Sequence, residues 1–268
     1  LRSVPKGLLL FGPPGTGKTL IGRAIASSCN ATFFAISASS LTSKWIGESE
    51  KLVRTLFAVA GLKEPSVVFV DEVDSMLTQR SSGENEASRR LKTEFLVQLE
   101  GVDSSHADER VLVVGATNRP QELDEAARRR FVKRFYVPLP DAKARSVLFR
   151  TLLKTNGHNL SDADVAALVA ATDGFSGADC RNLSQEAAMG PMREVGAALF
   201  ASSTGAAPTI PPITAAHFRD ALRVTRATVA QSEITFYEDW NRQFGTGGND
   251  DDDEPPPAKT TTTTAPGP

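Results

Sequence analysis

Short apolar runs alternate with segments of helical periodicity in the first half of the chain. Four mostly apolar runs have the length of buried strands, and they lie at residues 8–11, 32–36, 67–70 and 111–114, with a fifth strand predicted at 132–137. Between them, apolar residues recur every three or four positions, as on one face of a helix. Strand, helix and strand in succession are typical of a parallel sheet. The pattern predicts an α/β domain over residues 1–140, with helices on both faces of the sheet.

The strand pattern stops at about residue 140, and the remaining periodicity is helical. Helices are predicted at residues 143–155, 161–171, 176–195, 214–224 and 232–244. The intervening residues 196–212 are rich in Gly, Ala, Ser and Pro and are predicted to form a loop. We therefore expect a small all-helical domain over 141–245. Residues 246–268 contain an acidic run, three prolines and five threonines in succession, which cannot build a core, and are predicted to be a disordered tail.

A phosphate-binding loop follows the first apolar run. The motif G-x-x-x-x-G-K-[ST] is formed by Gly12, Pro13, Pro14, Gly15, Thr16, Gly17, Lys18 and Thr19, and Leu20 comes next in the predicted helix. Such a loop cradles phosphates with backbone N–H groups, its lysine reaches the β- and γ-phosphates, and its Thr hydroxyl ligates Mg²⁺. The alternative is a glycine-rich turn without a ligand, which the strand, loop and helix order disfavours. The motif predicts a P-loop NTPase that binds ATP and Mg²⁺.

Polar residues end two of the other buried runs. Asp71 and Glu72 directly follow the run at 67–70. Three residues separate Asn118 from the end of the run at 111–114. Carboxylates are costly on a buried strand, so we expect them at its exposed carboxyl end, where α/β sheets bind ligands. The alternatives are a solvated carboxylate pair and an asparagine that only forms a turn.

Composition and charge narrow the class of protein. The chain has 40% hydrophobic and 23% charged residues and a net charge of −2; residues 250–268 alone carry −4, which leaves +2 for residues 1–249. A nearly neutral body gives no reason to expect direct nucleic-acid binding. No apolar run has the length of a membrane span. The two cysteines offer no disulfide framework and fit a reducing compartment, so we expect a cytoplasmic location.

The motifs, taken in order, resemble those of an AAA+ ATPase of the classical AAA type over about residues 5–245. The segments 41–48, 86–95 and 119–126 are similar to its meiotic clade, which holds katanin, spastin, fidgetin, fidgetin-like proteins and the ATPase that dismantles ESCRT-III. The segment 187–193 is most similar to the fidgetin-like form. Tyr237, Trp240 and Phe244 match the aromatic C-terminal helix of the clade.

The resemblance implies roles for particular residues. Asp71 would hold the Mg²⁺ shell with Thr19, Glu72 would polarise the attacking water, and Asn118 would position that water or sense the γ-phosphate. It also implies that Gly177 and Ala178 contact the adenine from the helical domain.

Two arginines are the implied arginine fingers. Arg129 and Arg130 would act on the nucleotide of a neighbouring subunit, which requires an oligomer, by resemblance a homohexamer. From charge alone, a solvated basic helix end is the alternative.

The resemblance also implies a substrate-gripping pore loop, formed by Lys44, Trp45 and Ile46. Without that context, a tryptophan more often belongs to a core. The implied function is an ATP-hydrolysing protein-remodelling motor, with microtubule severing by pulling on tubulin tails as the leading output. Disassembly of a DNA-recombination filament, disassembly of an ESCRT-III-type polymer, and a nucleotide-gated scaffold with little turnover remain open. Severing implies a cytoskeletal location, whereas a recombination role implies the nucleus.

Overall fold

A five-stranded parallel sheet forms the centre of the computed structural model, which describes residues 6–42, 48–78, 86–104, 110–154, 157–201 and 210–247. The strands are β1 (Gly7–Phe11), β2 (Thr32–Ser37), β3 (Ser66–Asp71), β4 (Val111–Thr117) and β5 (Lys133–Tyr136). Their order across the sheet is β2-β3-β4-β1-β5, and every pairing is parallel. The predicted parallel α/β fold is confirmed.

Helices cover both faces of the sheet, as predicted. In the first domain these are α1 (Lys18–Ser28), α2 (Ala38–Thr42), α3 (Glu48–Leu62), α4 (Asp74–Leu77), α5 (Glu86–Ser104) and α6 (Glu125–Arg130). On one face of the sheet, Ala26 of α1 packs with Phe69 and Val114. On the other face, Phe57 of α3 and Phe95 of α5 lie in a second apolar cluster. Gly22 allows α1 to approach β3, because a Cβ there would lie 2.4 Å from the Phe69 ring.

Four helices follow the sheet and share a second apolar core. They are α7 (Ala142–Leu153), α8 (Asp162–Ala171), α9 (Gly177–Ala201) and α10 (Ala215–Val224). Phe149, Leu168, Leu183 and Phe218 lie in this core, so each of the four helices contributes to it. The prediction of a loop from residue 196 was wrong for residues 196–201, because α9 continues through Ala201. Alanine and leucine in residues 197–200 favour this continuation of the helix.

The last helix, α11 (Gln231–Phe244), returns to the sheet. Sequence analysis grouped it with the helical domain, but Tyr237 and Trp240 belong to the core beneath the sheet. The Trp240 ring meets the Phe11 ring edge to face at 4.4 Å, and Arg134 of β5 donates through Nε to the Phe244 carbonyl at 2.6 Å. The helix returns to the sheet because its aromatic face buries a large apolar area there.

The described part of the chain continues past α11 to Gly247. The disordered tail predicted from residue 246 begins too early, because the Thr246 N–H donates to the Arg134 carbonyl of β5 at 2.8 Å. Beyond Gly247, the predicted disordered tail lies outside the described residues. Within the described ranges, none of the helices combines the length and apolarity that a membrane crossing requires.

Candidate active site

The loop between β1 and α1 forms the floor of the site. Its three glycines have positive φ angles, +146° at Gly12, +75° at Gly15 and +94° at Gly17. A Cβ on Gly12 would lie 2.3 Å from the Val137 carbonyl oxygen, and one on Gly15 would lie 2.7 Å from the Ala178 Cβ. Pro13 is buried, Pro14 is exposed, and Thr16 donates to the Pro13 carbonyl at 3.1 Å. Gly17 is the N-cap of α1, so the helix directs its positive end into the loop.

Lys18 is buried beneath this loop. Its Nζ donates to the carbonyl oxygens of Gly12 at 2.9 Å and Pro13 at 2.7 Å. Burial lowers the pKa of Lys18 to about 8, an effect that the nearby carboxylates of Asp71 and Asp74 partly offset. Phosphate oxygens in the loop would give this ammonium group the anionic partner that favours its charged form.

Thr19 and Asp71 lie together at the end of β3. The Thr19 hydroxyl donates to Asp71 Oδ2 at 3.0 Å. Mg²⁺ is usually held by one or two carboxylates together with substrate phosphates and water, and this hydroxyl and carboxylate fit that donor set. Among the described residues, no group of three His, Cys, Asp or Glu side chains is placed to hold a metal ion.

Glu72 is exposed and has a strained backbone. Its φ angle is +51°, which is uncommon for a residue other than glycine. The Glu72 N–H donates to Asp71 Oδ1 at 3.0 Å, and its carbonyl accepts from the Ser75 N–H at 2.9 Å as the chain turns into α4. Strain of this kind persists where surrounding contacts enforce it, often at functional sites. The turn places Glu72 in the lining of the cleft beside Asp71.

Asn118 lies on the same cleft, directly after β4. Its side-chain oxygen is buried and accepts no hydrogen bond within the part of the chain that the structure describes. The preceding Thr117 donates its hydroxyl to Asp74 Oδ1 and accepts from the Arg119 N–H at 2.8 Å. A buried polar atom without a partner is uncommon in proteins, so this oxygen is a candidate contact for a bound water or phosphate group.

The cleft itself has a volume of about 450 Å³ and lies between the sheet and the helical domain. Gly177 and Ala178, at the beginning of α9, line it opposite the loop, and the Ala178 N–H donates to the Gly15 carbonyl at 3.1 Å. Leu20 and Leu148 add apolar surface to the wall. A nucleotide-sized cleft thus has phosphate-binding and apolar parts.

Four residues of the cleft were missed by the sequence analysis, namely Pro140, Leu148, Arg181 and Asn182. Arg181 and Asn182 line it from α9, where they add a cation and an amide. The spacing of Arg181 and Asn182 could have predicted their position, because residues three and four positions after Ala178 lie on the same side of a helix.

The finger candidates occupy a different place. Arg129 and Arg130 end α6, and neither is among the residues that line the cleft. Arg129 pairs with Glu125 on the surface. Arg130 donates to the Ala126 carbonyl at 3.1 Å and to Glu100 at 2.9 Å. Lys44, Trp45 and Ile46 lie outside the described residues, so the pore loop stays a prediction.

Three family models match the chain. The ATPase family associated with various cellular activities (AAA) matches residues 8–139, the AAA+ lid domain matches 162–201, and the Vps4 C terminal oligomerisation domain matches 205–245. The last segment includes α11.

Individual relatives agree with these models. Fidgetin-like protein 1 of Xenopus laevis is 56% identical over 247 residues, which are 92% of this chain but only 37% of the relative's length. The solved FIGL-1 AAA domain in complex with ADP is 54% identical with a TM-score of 0.82, covering 92% of this chain and 80% of that one. A structure described as the structural basis for katanin self-assembly is 39% identical with a TM-score of 0.74, covering 89% and 78% of the two chains. The resemblance to fidgetin-like proteins is confirmed.

Proposed function

The chain belongs to the AAA family of ATPases, and from this premise we propose that it is the motor of an assembly that remodels proteins by hydrolysing Mg²⁺-bound ATP between its copies. The observation that carries this proposal is the cleft that gathers Lys18, the Thr19–Asp71 pair, Glu72 and Asn118. These are the groups that phosphoryl transfer to water needs, namely a cation, metal ligands, a carboxylate and an amide. Similarity to a domain solved with ADP supports the nucleotide.

Each group has a physical task in this mechanism. Mg²⁺ held by Asp71 and Thr19 would neutralise charge on the phosphates. Lys18 binds the β- and γ-phosphates from beneath the loop. Glu72 accepts a hydrogen bond from the attacking water and orients it, while the Asn118 amide fixes the position of that water or of the γ-phosphate.

Assembly completes the site. Neither Arg129 nor Arg130 lines the cleft of its own molecule, so we propose that they stabilise the transition state in a neighbouring copy within a hexamer. A planar guanidinium suits this task because it stays protonated and offers several donors in a fixed geometry. The match of residues 205–245 to an oligomerisation domain and the similarity to a self-assembling katanin support the oligomer.

The proposed output is microtubule severing. Resemblance to the severing members of the meiotic clade supports it, and Lys44, Trp45 and Ile46 supply the residue types that would grip a threaded acidic tail. Aromatic side chains grip with large contact area at a low entropic cost, which suits a substrate of varied sequence. We accordingly place the protein in the cytoplasm with the cytoskeleton, with tubulin rather than nucleic acid as its partner.

Phosphate release with and without stabilised microtubules tests both parts of this proposal. We expect ATP turnover that rises when microtubules are added, and filaments that break in a fluorescence severing assay. Glu72→Gln should bind ATP without turnover and serves as the blank. Trp45→Ala is the second variant and should keep basal turnover while losing the microtubule response. Turnover that ignores microtubules would contradict severing and favour a recombination or membrane-polymer substrate. ATP binding without turnover would favour a scaffold.

A further inference from the structure

A hydrogen bond joins the C-terminal helix to the catalytic cleft. The hydroxyl of Tyr237, on α11, donates to the backbone carbonyl oxygen of Asn118 at 2.6 Å, across a separation of 119 residues. Tyr237 is only 6% exposed. The bond therefore connects a segment that matches an oligomerisation domain with a residue of the proposed hydrolytic site.

The Asn118 carbonyl lies just beyond the end of the sheet. The parallel pairing of β4 with β1 ends at Thr117, which is opposite Phe11, so the next carbonyl has no place in the strand ladder. Thr117 is fixed by its hydroxyl bond to Asp74. Tyr237 then supplies the donor that the following peptide group needs. Together these two bonds define the orientation of the backbone from which the Asn118 amide enters the cleft.

Ring packing holds the Tyr237 hydroxyl in place. The Tyr237 ring stacks on Tyr136 with centroids 6.2 Å apart and an angle of 19° between the planes. Tyr136 in turn stacks on Phe11 at 5.6 Å, and Phe11 directly precedes Gly12 of the phosphate loop. Burial raises the pKa of Tyr237, so the phenol remains a hydrogen-bond donor at neutral pH. The donor is therefore held against Tyr136 of β5, which in turn packs on the strand that precedes the phosphate loop.

We propose that Tyr237 is a positioning residue for ATP hydrolysis, whose hydroxyl fixes the Asn118 peptide so that the side-chain amide is held toward the attacking water or the γ-phosphate. This inference rests on the proposed function, since it assigns Asn118 a part in hydrolysis. Small errors in the placement of a catalytic group lower the rate far more than they lower binding. Because the donor is on α11, the bond also makes hydrolysis sensitive to how that helix is seated.

The chain offers a matched pair of variants for the test. Tyr237→Phe removes the bonded hydroxyl and keeps the ring stack. Tyr136→Phe removes the hydroxyl of the stacking partner, which has no hydrogen-bond partner among the described residues. Both variants and the wild type are assayed by phosphate release at protein concentrations at which sedimentation shows full assembly.

We expect Tyr237→Phe to lower kcat about fivefold, the worth of one hydrogen bond, with KM for ATP, ADP affinity and the assembly midpoint within twofold of the wild type. Tyr136→Phe should keep the wild-type kcat. Equal kcat in the two variants would overturn the proposal. So would a fall in kcat that only follows a smaller assembled or folded fraction, because that is a structural effect. A wild type without turnover would instead overturn the proposed function.

Discussion

The ammonium group of Lys92 lies 2.6 Å from the carboxylate of Asp124, and this ion pair is largely shielded from solvent, with side-chain exposures of 6% and 16%. Lys92 also donates to the Thr78 carbonyl at the end of α4, while the other Asp124 oxygen accepts from the Ala127 N–H at 2.7 Å. Asp124 is thus the N-cap of α6, the helix that carries the finger candidates. One buried cation holds α4, α5 and α6 together.

Lys92→Met should lower the free energy of unfolding by about 3 kcal/mol, because it leaves the Asp124 carboxylate buried without its cation. Urea unfolding followed by circular dichroism measures the change. Arg90→Met is the matched control on the same helix. It breaks the exposed pair with Glu86 and should leave the free energy of unfolding nearly unchanged. A loss below about 1 kcal/mol in Lys92→Met would show that the pair contributes little.

The same pair predicts a pH dependence. Burial opposes ionisation of Asp124, but hydrogen bonds from Lys92 and the Ala127 backbone outweigh it and hold the pKa of this carboxyl below its ordinary value. The unfolded state therefore binds this proton more readily. Ionised Asp124 contributes stability above the unfolded-state pKa, near 4, and the contribution is lost as the pH falls through the lower folded-state pKa.

Asp124→Asn isolates this contribution, because the amide oxygen can still cap α6. The difference in unfolding free energy between wild type and Asp124→Asn should be largest at about pH 7 and shrink toward about pH 3. Urea titrations at several pH values measure it. A difference that stays constant or grows on acidification would contradict the account of Asp124.

Gly15→Ala should weaken nucleotide binding about tenfold, through ~1–2 kcal/mol of backbone strain and displacement of the helical domain. The φ angle of Gly15 is +75°, and its Cβ would lie 2.7 Å from the Ala178 Cβ and 2.8 Å from the Ser176 hydroxyl. Titration with a fluorescent ATP analogue gives the affinity. Gly61→Ala adds a methyl group in open space and should leave binding unchanged. Affinity within twofold of wild type in Gly15→Ala would mean that the loop does not need this close approach.

Arg130→Ala should lower turnover about a thousandfold in the assembled protein while leaving ATP affinity at low concentration unchanged. The reason is that Arg130 does not line its own cleft. Phosphate release and nucleotide titration, each repeated over protein concentration, separate the two effects. Lys133→Ala removes an exposed cation three residues away and should behave as wild type. Loss of ATP binding in dilute Arg130→Ala would contradict a role in a neighbouring molecule.

Local sequence patterns were sufficient to predict the sheet and the phosphate loop. The motif ending at Thr19 and the carboxylates at the end of β3 were predicted directly, because parallel strands bring their carboxyl ends to one edge of the sheet. The positive φ of Glu72 was not predictable, since glycine or asparagine usually signals that conformation. The pore-loop residues Lys44, Trp45 and Ile46 remain predictions.

Contacts between distant segments were less predictable. The aromatic face of α11 shows that it must bury apolar surface but not against which element, and its return to the sheet depends on Phe11 and Tyr136. Similarly, Lys92 looks like a surface residue in its helix, and Asp124 looks like an ordinary cap. Their pairing follows only from how α5 and α6 pack, which periodicity within one helix does not specify.

A mixing experiment tests most directly whether each site is shared between two molecules. Glu72→Gln has an impaired cleft with intact fingers, whereas Arg130→Ala has an intact cleft and lacks one finger. Each variant alone should release almost no phosphate. Mixed in equal amounts at assembling concentration, they should recover turnover, because fingers from the first reach clefts of the second. A mixture as inactive as its two components would contradict the account.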